Sequence, residues 1–118
     1  MILNSMLLGS TDPDRLKAWY RDAFHAQVDG HGNLDLGGFG LVIEHRDDVS
    51  TKNPEPGRHI INFAVDDIES AAAHLRTLDI TWLVQPENRG IGWFATLLDP
   101  DGNYVQLIQM SPEYYANR

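Results

Sequence analysis

Ile60-Ile61-Asn62-Phe63-Ala64-Val65-Asp66-Asp67-Ile68 is the stretch on which the fold turns. Six residues rich in β-branched and aromatic side chains make a short strand, and the two aspartates that follow supply an oxygen to cap a helix. The helix carries an apolar stripe at Ile68, Ala71, Ala72, Leu75 and Leu78, with the three- and four-residue spacing of one buried face. Beyond it, residues 81–84 read as a strand ended by Pro86, and residues 93–98 and 104–110 as two more. Asp99-Pro100-Asp101-Gly102-Asn103 joins the last two as a turn, because proline presets φ and glycine supplies φ > 0.

The same order runs 55 residues earlier. Residues 3–10 form an apolar strand, and Thr11-Asp12-Pro13 opens a helix with a cap and a proline whose missing N–H costs nothing there. Leu16, Trp19, Tyr20 and Ala23 follow at helical spacing. Asp29-Gly30-His31-Gly32 is a turn, and residues 33–36 and 41–45 are strands around Gly37-Gly38. In this alignment Thr11-Asp12 lies on Asp66-Asp67 and Tyr20 on Leu75. Glu44 falls opposite Gln106 once the longer final hairpin of the second half is allowed for. Residues 46–58, with Asn53-Pro54-Glu55-Pro56-Gly57, are a connector, since two prolines cannot join a central ladder. The expectation is a single α+β domain over residues 1–118, built from a βαβββ module at 1–45, the connector at 46–58 and a second module at 59–112.

Composition narrows the function classes. The chain of 118 residues has no cysteine, which removes disulfides, thiol nucleophiles and thiolate metal sites. Its net charge of −8 is spread over both halves, so nucleic acid is not an expected partner. The apolar runs are far shorter than the roughly 20 residues a membrane span needs. Residues 1–9 lack a basic leader, so a membrane partner is not expected and the location is read as cytoplasmic. There is no glycine-rich phosphate loop: Gly37-Gly38-Phe39-Gly40 precedes a strand and not a helix.

The repeated βαβββ order resembles the vicinal oxygen chelate superfamily, which includes glyoxalase I, extradiol dioxygenases and bleomycin- and fosfomycin-resistance proteins. The residues that carry the likeness are Phe63-Ala64-Val65-Asp66-Asp67-Ile68 and Asp99-Pro100-Asp101-Gly102-Asn103-Tyr104-Val105-Gln106-Leu107. The resemblance implies eight strands curled into a half-barrel around a concave cleft, often with one divalent metal held by four residues. Carried over position by position, those four fall on Ser5, Glu44, Ile60 and Gln106. Only Glu44 is a good ligand, whereas a catalytic site wants about three protein donors. His59 lies one residue from the expected position, and strand alternation turns it away unless a bulge intervenes. The resemblance therefore leads to an expectation of no metal and no cofactor.

Alternation also suggests a ligand-binding lining. With Glu44 and Gln106 facing inward, Val42, Tyr104 and Ile108 join them, and the repeated first strands add Leu7, Asn62 and Ala64. The five-residue turn sets Leu98 opposite Tyr104, which places Thr96 beside Gln106 and Phe94 beside Ile108. A slipped register would offer Trp93 and Ala95 instead. A filled core accounts equally well for the apolar members; Glu44, Asn62 and Gln106 fit it less well, because buried polar groups need partners.

Three functions follow. The first is a metal-free protein that binds a small amphipathic or cationic molecule at Leu7, Glu44, Asn62, Phe94, Thr96, Tyr104 and Gln106, similar to drug-sequestering resistance proteins. The second is a lyase, isomerase or dioxygenase-type enzyme with a non-standard site, in which Glu44, raised in pKa by burial, is the candidate general base. The third is a non-catalytic dimerisation or regulatory module. The resemblance also implies a homodimer, and Trp19, Tyr20, Tyr114 and Tyr115 are aromatic side chains suited to a subunit seam.

Overall fold

A computed structural model of the chain describes residues 1–117. It contains two compact units, residues 1–54 and 55–118, divided inside the expected connector. The first unit runs β1 (Ser5–Ser10), α1 (Pro13–Phe24), β2 (Gln27–Val28), β3 (Leu34–Leu36) and β4 (Phe39–His45). The second runs β5 (Ile61–Ala64), α2 (Ile68–Leu75), β6 (Thr81–Asn88), β7 (Gly92–Leu98), β8 (Tyr104–Met110) and α3 (Pro112–Ala116). Each unit is thus one βαβββ module with a four-stranded sheet, in the orders β1-β4-β3-β2 and β5-β8-β7-β6. In both, the first strand lies parallel to the last and the remaining pairs are antiparallel.

α1 and α2 start as the sequence predicts. The Asp12 carboxylate accepts from the Arg15 backbone N–H, and Pro13 occupies the first helical turn. The Asp67 carboxylate accepts from the backbone N–H groups of Glu69 and Ser70. Each cap meets N–H groups that have no partner within the helix. The first helix ends at His25, which takes the left-handed conformation with φ 55°.

α1 and α2 each pack on one face of their own sheet. In the first unit Leu8, Leu16, Tyr20, Ala23, Leu34, Leu41 and Ile43 are buried, together with Ser10, whose hydroxyl accepts from the Asp12 N–H. In the second, Ile68, Ala72 and Leu75 are buried, as are Ala95, Leu97, Val105 and Leu107 of the sheet. Alternation leaves the opposite face of each sheet without a helix of its own unit, and the expected lining residues lie there.

Four readings are corrected. The strand expected to end at Pro86 runs through it to Asn88, because β6 is the last strand of its sheet and an edge position tolerates a residue without an N–H. Leu78 lies beyond the end of α2 and is not part of its buried stripe. The short strand β2 and the terminal helix α3 have no counterpart in the sequence reading. Tyr20, assigned to a subunit seam, is 0% exposed and sits edge-on to Trp19 (4.9 Å) and stacked with Phe24 (6.0 Å).

Candidate functional site

On the first unit, β1 and β4 pair in register with Ser5 beside Gly40, Leu7 beside Val42 and Gly9 beside Glu44. These six residues share the helix-free face, with Asp35 of β3 next to Gly40. Leu7 is 46% exposed, and a depression of about 360 Å³ is bounded by Ser5, Asp29, Asp35, Gly40 and Val42, among others. The Asp29 carboxyl lies below the ordinary aspartate range, first because the Asn33 and His31 backbone N–H groups donate to it.

Glu44 is exposed, which corrects the expectation of a buried carboxylate. A cation lies nearby. The Arg46 side chain crosses Gly9 so closely that a Cβ there would sit 2.6 Å from Arg46 Cδ. Arg46 is gripped by Asp48 through Nε (2.8 Å) and Nη2. That pair, with a smaller contribution from Glu44, holds the guanidinium above its ordinary pKa.

On the second unit the register is the one the five-residue turn requires. Leu98 pairs with Tyr104, Thr96 with Gln106 and Phe94 with Ile108, while Asn62 pairs with Gln106 across the parallel ladder. Trp93 and Ala95 pair with Gln109 and Leu107, so they point to the helix side and the slipped register is excluded. Asn62, Phe94, Thr96, Tyr104 and Gln106 therefore share one face. Thr96 is buried, Phe94, Tyr104 and Gln106 are half-buried, and Asn62 is exposed. The Tyr104 ring approaches the connector, where a Cβ on Gly57 would lie 3.9 Å from its Cε2. The turn that sets this register is held by Asp99, whose Oδ1 accepts from the N–H groups of Asp101 (2.9 Å) and Asn103 (3.0 Å).

Of the seven lining residues, Leu7 and Glu44 belong to the first unit and the other five to the second. The sequence reading missed Arg89. Its guanidinium lies 4.8 Å from the centre of the Phe94 ring, and the only sequence signal for it is the Asn88-Arg89-Gly90 turn before β7. It also missed a depression of about 750 Å³ bordered by Gly90, Ile91, Ser111, Glu113, Tyr114 and Asn117, because α3 was not read.

The donor set does not fit the family's metal. Ser5, Glu44, Ile60 and Gln106 offer a hydroxyl, a carboxylate, a hydrocarbon and an amide, where such ions want several anionic or imidazole donors at about 2 Å. His59 lies in a bend before β5, and the β5–β8 ladder runs from Ile61 to Ala64 with no register shift to redirect it. Among the described residues no three His, Asp or Glu side chains gather as a metal-binding group.

Two βαβββ modules, each with a helix-free sheet face bearing a few polar groups, define a glyoxalase-like protein. The chain belongs to the Glyoxalase/Bleomycin resistance protein/Dioxygenase superfamily, whose family model matches residues 2–107. Solved structures agree on the fold. A glyoxalase/bleomycin resistance protein/dioxygenase family enzyme from Burkholderia phytofirmans PsJN is 17% identical, with a TM-score of 0.78 over 94% of this chain and 100% of that one. TioX from Micromonospora sp. ML1 is 15% identical, with a TM-score of 0.74 over 94% and 100%. The fosfomycin resistance protein FosX from Mesorhizobium loti is 16% identical, with a TM-score of 0.72 over 98% and 97%. No curated protein matches the sequence at a significant level. Among the described residues no helix is long and apolar enough to cross a membrane.

Proposed function

We propose that this chain is a metal-free binder of a small amphipathic or cationic organic molecule. The observation that carries this reading is the donor set: at the four family ligand positions only Glu44 is anionic, and Ser5, Ile60 and Gln106 are neutral. A mostly apolar surface with a few polar groups is how small-molecule sites are built. Glu44 favours a cationic group, since Arg46, which feels its charge, is already engaged by Asp48. The fold likeness to a fosfomycin resistance protein is compatible with handling of a small molecule. Elemental analysis of protein purified without chelator is expected to find well under one tightly bound transition metal per chain. Calorimetric titration with cationic and aromatic compounds is expected to find a binder that Glu44→Gln weakens about two- to fivefold, the scale of one exposed charge pair. Near-stoichiometric metal, lost on changing Glu44 or His59 to Ala, would overturn this reading and favour the enzyme.

The proposal includes a homodimer. Its support is aromatic surface: Tyr114 and Tyr115 are each 46% exposed, packed edge to face at 5.6 Å, and Trp19 is half-buried. Light scattering at tens of micromolar (roughly) is expected to give twice the chain mass. A stable species of one chain mass at that concentration would remove the dimer from the proposal.

A further inference from the structure

The helix-free face of the second unit carries Asn62, Phe94, Thr96, Gln106 and Ile108, and its one carboxylate among these strands, Glu87 of β6 opposite Phe94, is bound by Arg89. In a chain of net charge −8 this is an unusual stretch of surface, and Arg89 lies on it. The β6–β7 turn puts the arginine there. The Arg89 N–H donates to the Gly92 carbonyl at 2.8 Å, Gly90 takes φ 88°, and the Asn88 side chain accepts from the Gly90 N–H at 2.8 Å. The guanidinium then stacks 4.8 Å from the Phe94 ring centre and donates through Nε to Glu87 Oε1 at 2.8 Å. Its two terminal amino groups donate to no acceptor among the described residues, and the side chain is 41% exposed.

A guanidinium held in this way is prepared for an acid. Its outer edge is the two-donor fork that matches a carboxylate. The aromatic ring shields one face from water and Glu87 fixes the plane, so little side-chain freedom remains to be lost on binding. The neighbouring Thr96 and Gln106 are neutral, and the one carboxylate beside the guanidinium, Glu87, meets it at Nε, on the side away from the two terminal amino groups.

We propose that Arg89 anchors an acid subsite. On this face the second unit binds an aromatic or other apolar carboxylic acid, its carboxylate on the Arg89 amino groups and its apolar body along Phe94 and Ile108. Glu87 is a positioning residue that acts through the guanidinium. The subsite belongs to the second unit alone and holds whether or not Glu44 meets a cation.

Benzoate, benzamide and benzylamine differ mainly in charge and test the subsite on the intact chain. In NMR titrations benzoate is expected to move the Arg89 Nε–H, Phe94 and Ile108 resonances saturably, in the millimolar range (roughly) usual for a fragment, and at least about tenfold more tightly than benzamide. Added salt should weaken benzoate, and Arg89→Gln should abolish its advantage over benzamide while the circular dichroism spectrum is unchanged. The subsite is overturned if benzamide binds as well as benzoate, or if benzoate moves none of these resonances at about 10 mM. It is equally overturned if Arg89→Gln lowers the unfolding midpoint while benzoate binding persists, for then the arginine only braces its turn. The wild-type comparison of the three probes requires no variant to fold. Glu44-dependent binding of benzylamine without benzoate binding would sink this subsite and leave the proposed function standing.

Discussion

Replacing Tyr20 by alanine is expected to destabilise the protein by about 3–5 kcal/mol, the scale of a buried aromatic truncation. Tyr20 is 0% exposed on a helix that packs on the sheet of the first unit, where Leu16, Leu34, Leu41 and Ile43 are buried as well. Alanine there forfeits the transfer energy of the ring and leaves a cavity that the surrounding leucines fill only partly. It also removes the stacked contact with Phe24 at 6.0 Å and the edge contact with Trp19 at 4.9 Å, and such pairs contribute about 0.5–1.5 kcal/mol beyond area. Trp19, one position earlier, is half-buried, so Trp19→Ala is expected to cost less. Urea unfolding followed by circular dichroism gives both values. A loss below about 1.5 kcal/mol for Tyr20→Ala, or a larger loss for Trp19→Ala, would show that the helix is turned differently on its sheet.

Asp99→Ala is expected to cost about 2–4 kcal/mol, because several donors lose one acceptor together. Asp99 is 4% exposed. Its Oδ1 takes the N–H groups of Asp101 and Asn103, and its Oδ2 takes the Asn103 side-chain amide at 2.8 Å. Alanine leaves these donors without the carboxylate in a turn where Asp101 is also buried. Asp99→Asn should cost less than alanine, since a carbonyl oxygen can still meet the two backbone N–H groups. Its new amide would face the Asn103 amide, donor to donor, until one of the two flips. Denaturation of the three proteins in parallel checks that order. Asp99→Ala indistinguishable from wild type, or an asparagine variant less stable than the alanine one, would contradict this account of the turn.

The same turn shows how far one sequence goes. Proline and glycine at set positions define a five-residue connection, and that length fixes which residues of β7 and β8 stand opposite each other. Once Leu98 meets Tyr104, period-two alternation places Phe94, Thr96 and Gln106 on one face with no further information. The caps at Asp12 and Asp67 are equally local, since each is a side chain bonding N–H groups two or three residues away. These caps, this register and this face were therefore legible, as was the βαβββ order of the second module, whereas β2 of the first module and α3 were not read.

What surrounds each element was decided by the tertiary structure. Pro86 reads as a strand terminator until β6 is known to lie at the edge of its sheet, where no neighbour needs that N–H. Trp19 and Tyr20 are adjacent and equally apolar in pattern, and the angle at which α1 meets its sheet buries the second and leaves the first half in water. Alternation puts Glu44 on the helix-free face but says nothing of what covers it, and it is exposed beside an Arg46 already held by Asp48. Arg89 is an ordinary turn residue in the sequence, and it becomes part of a surface when the shifted β6–β7 register sets Glu87 opposite Phe94 and the Gly90 turn follows, with the guanidinium over the Phe94 ring. The division has one physical cause. Capping, turn geometry and alternation act over a few bonds of chain and are written in neighbouring residues, whereas burial, edge position and the company a charge keeps depend on segments that meet only after the chain has folded.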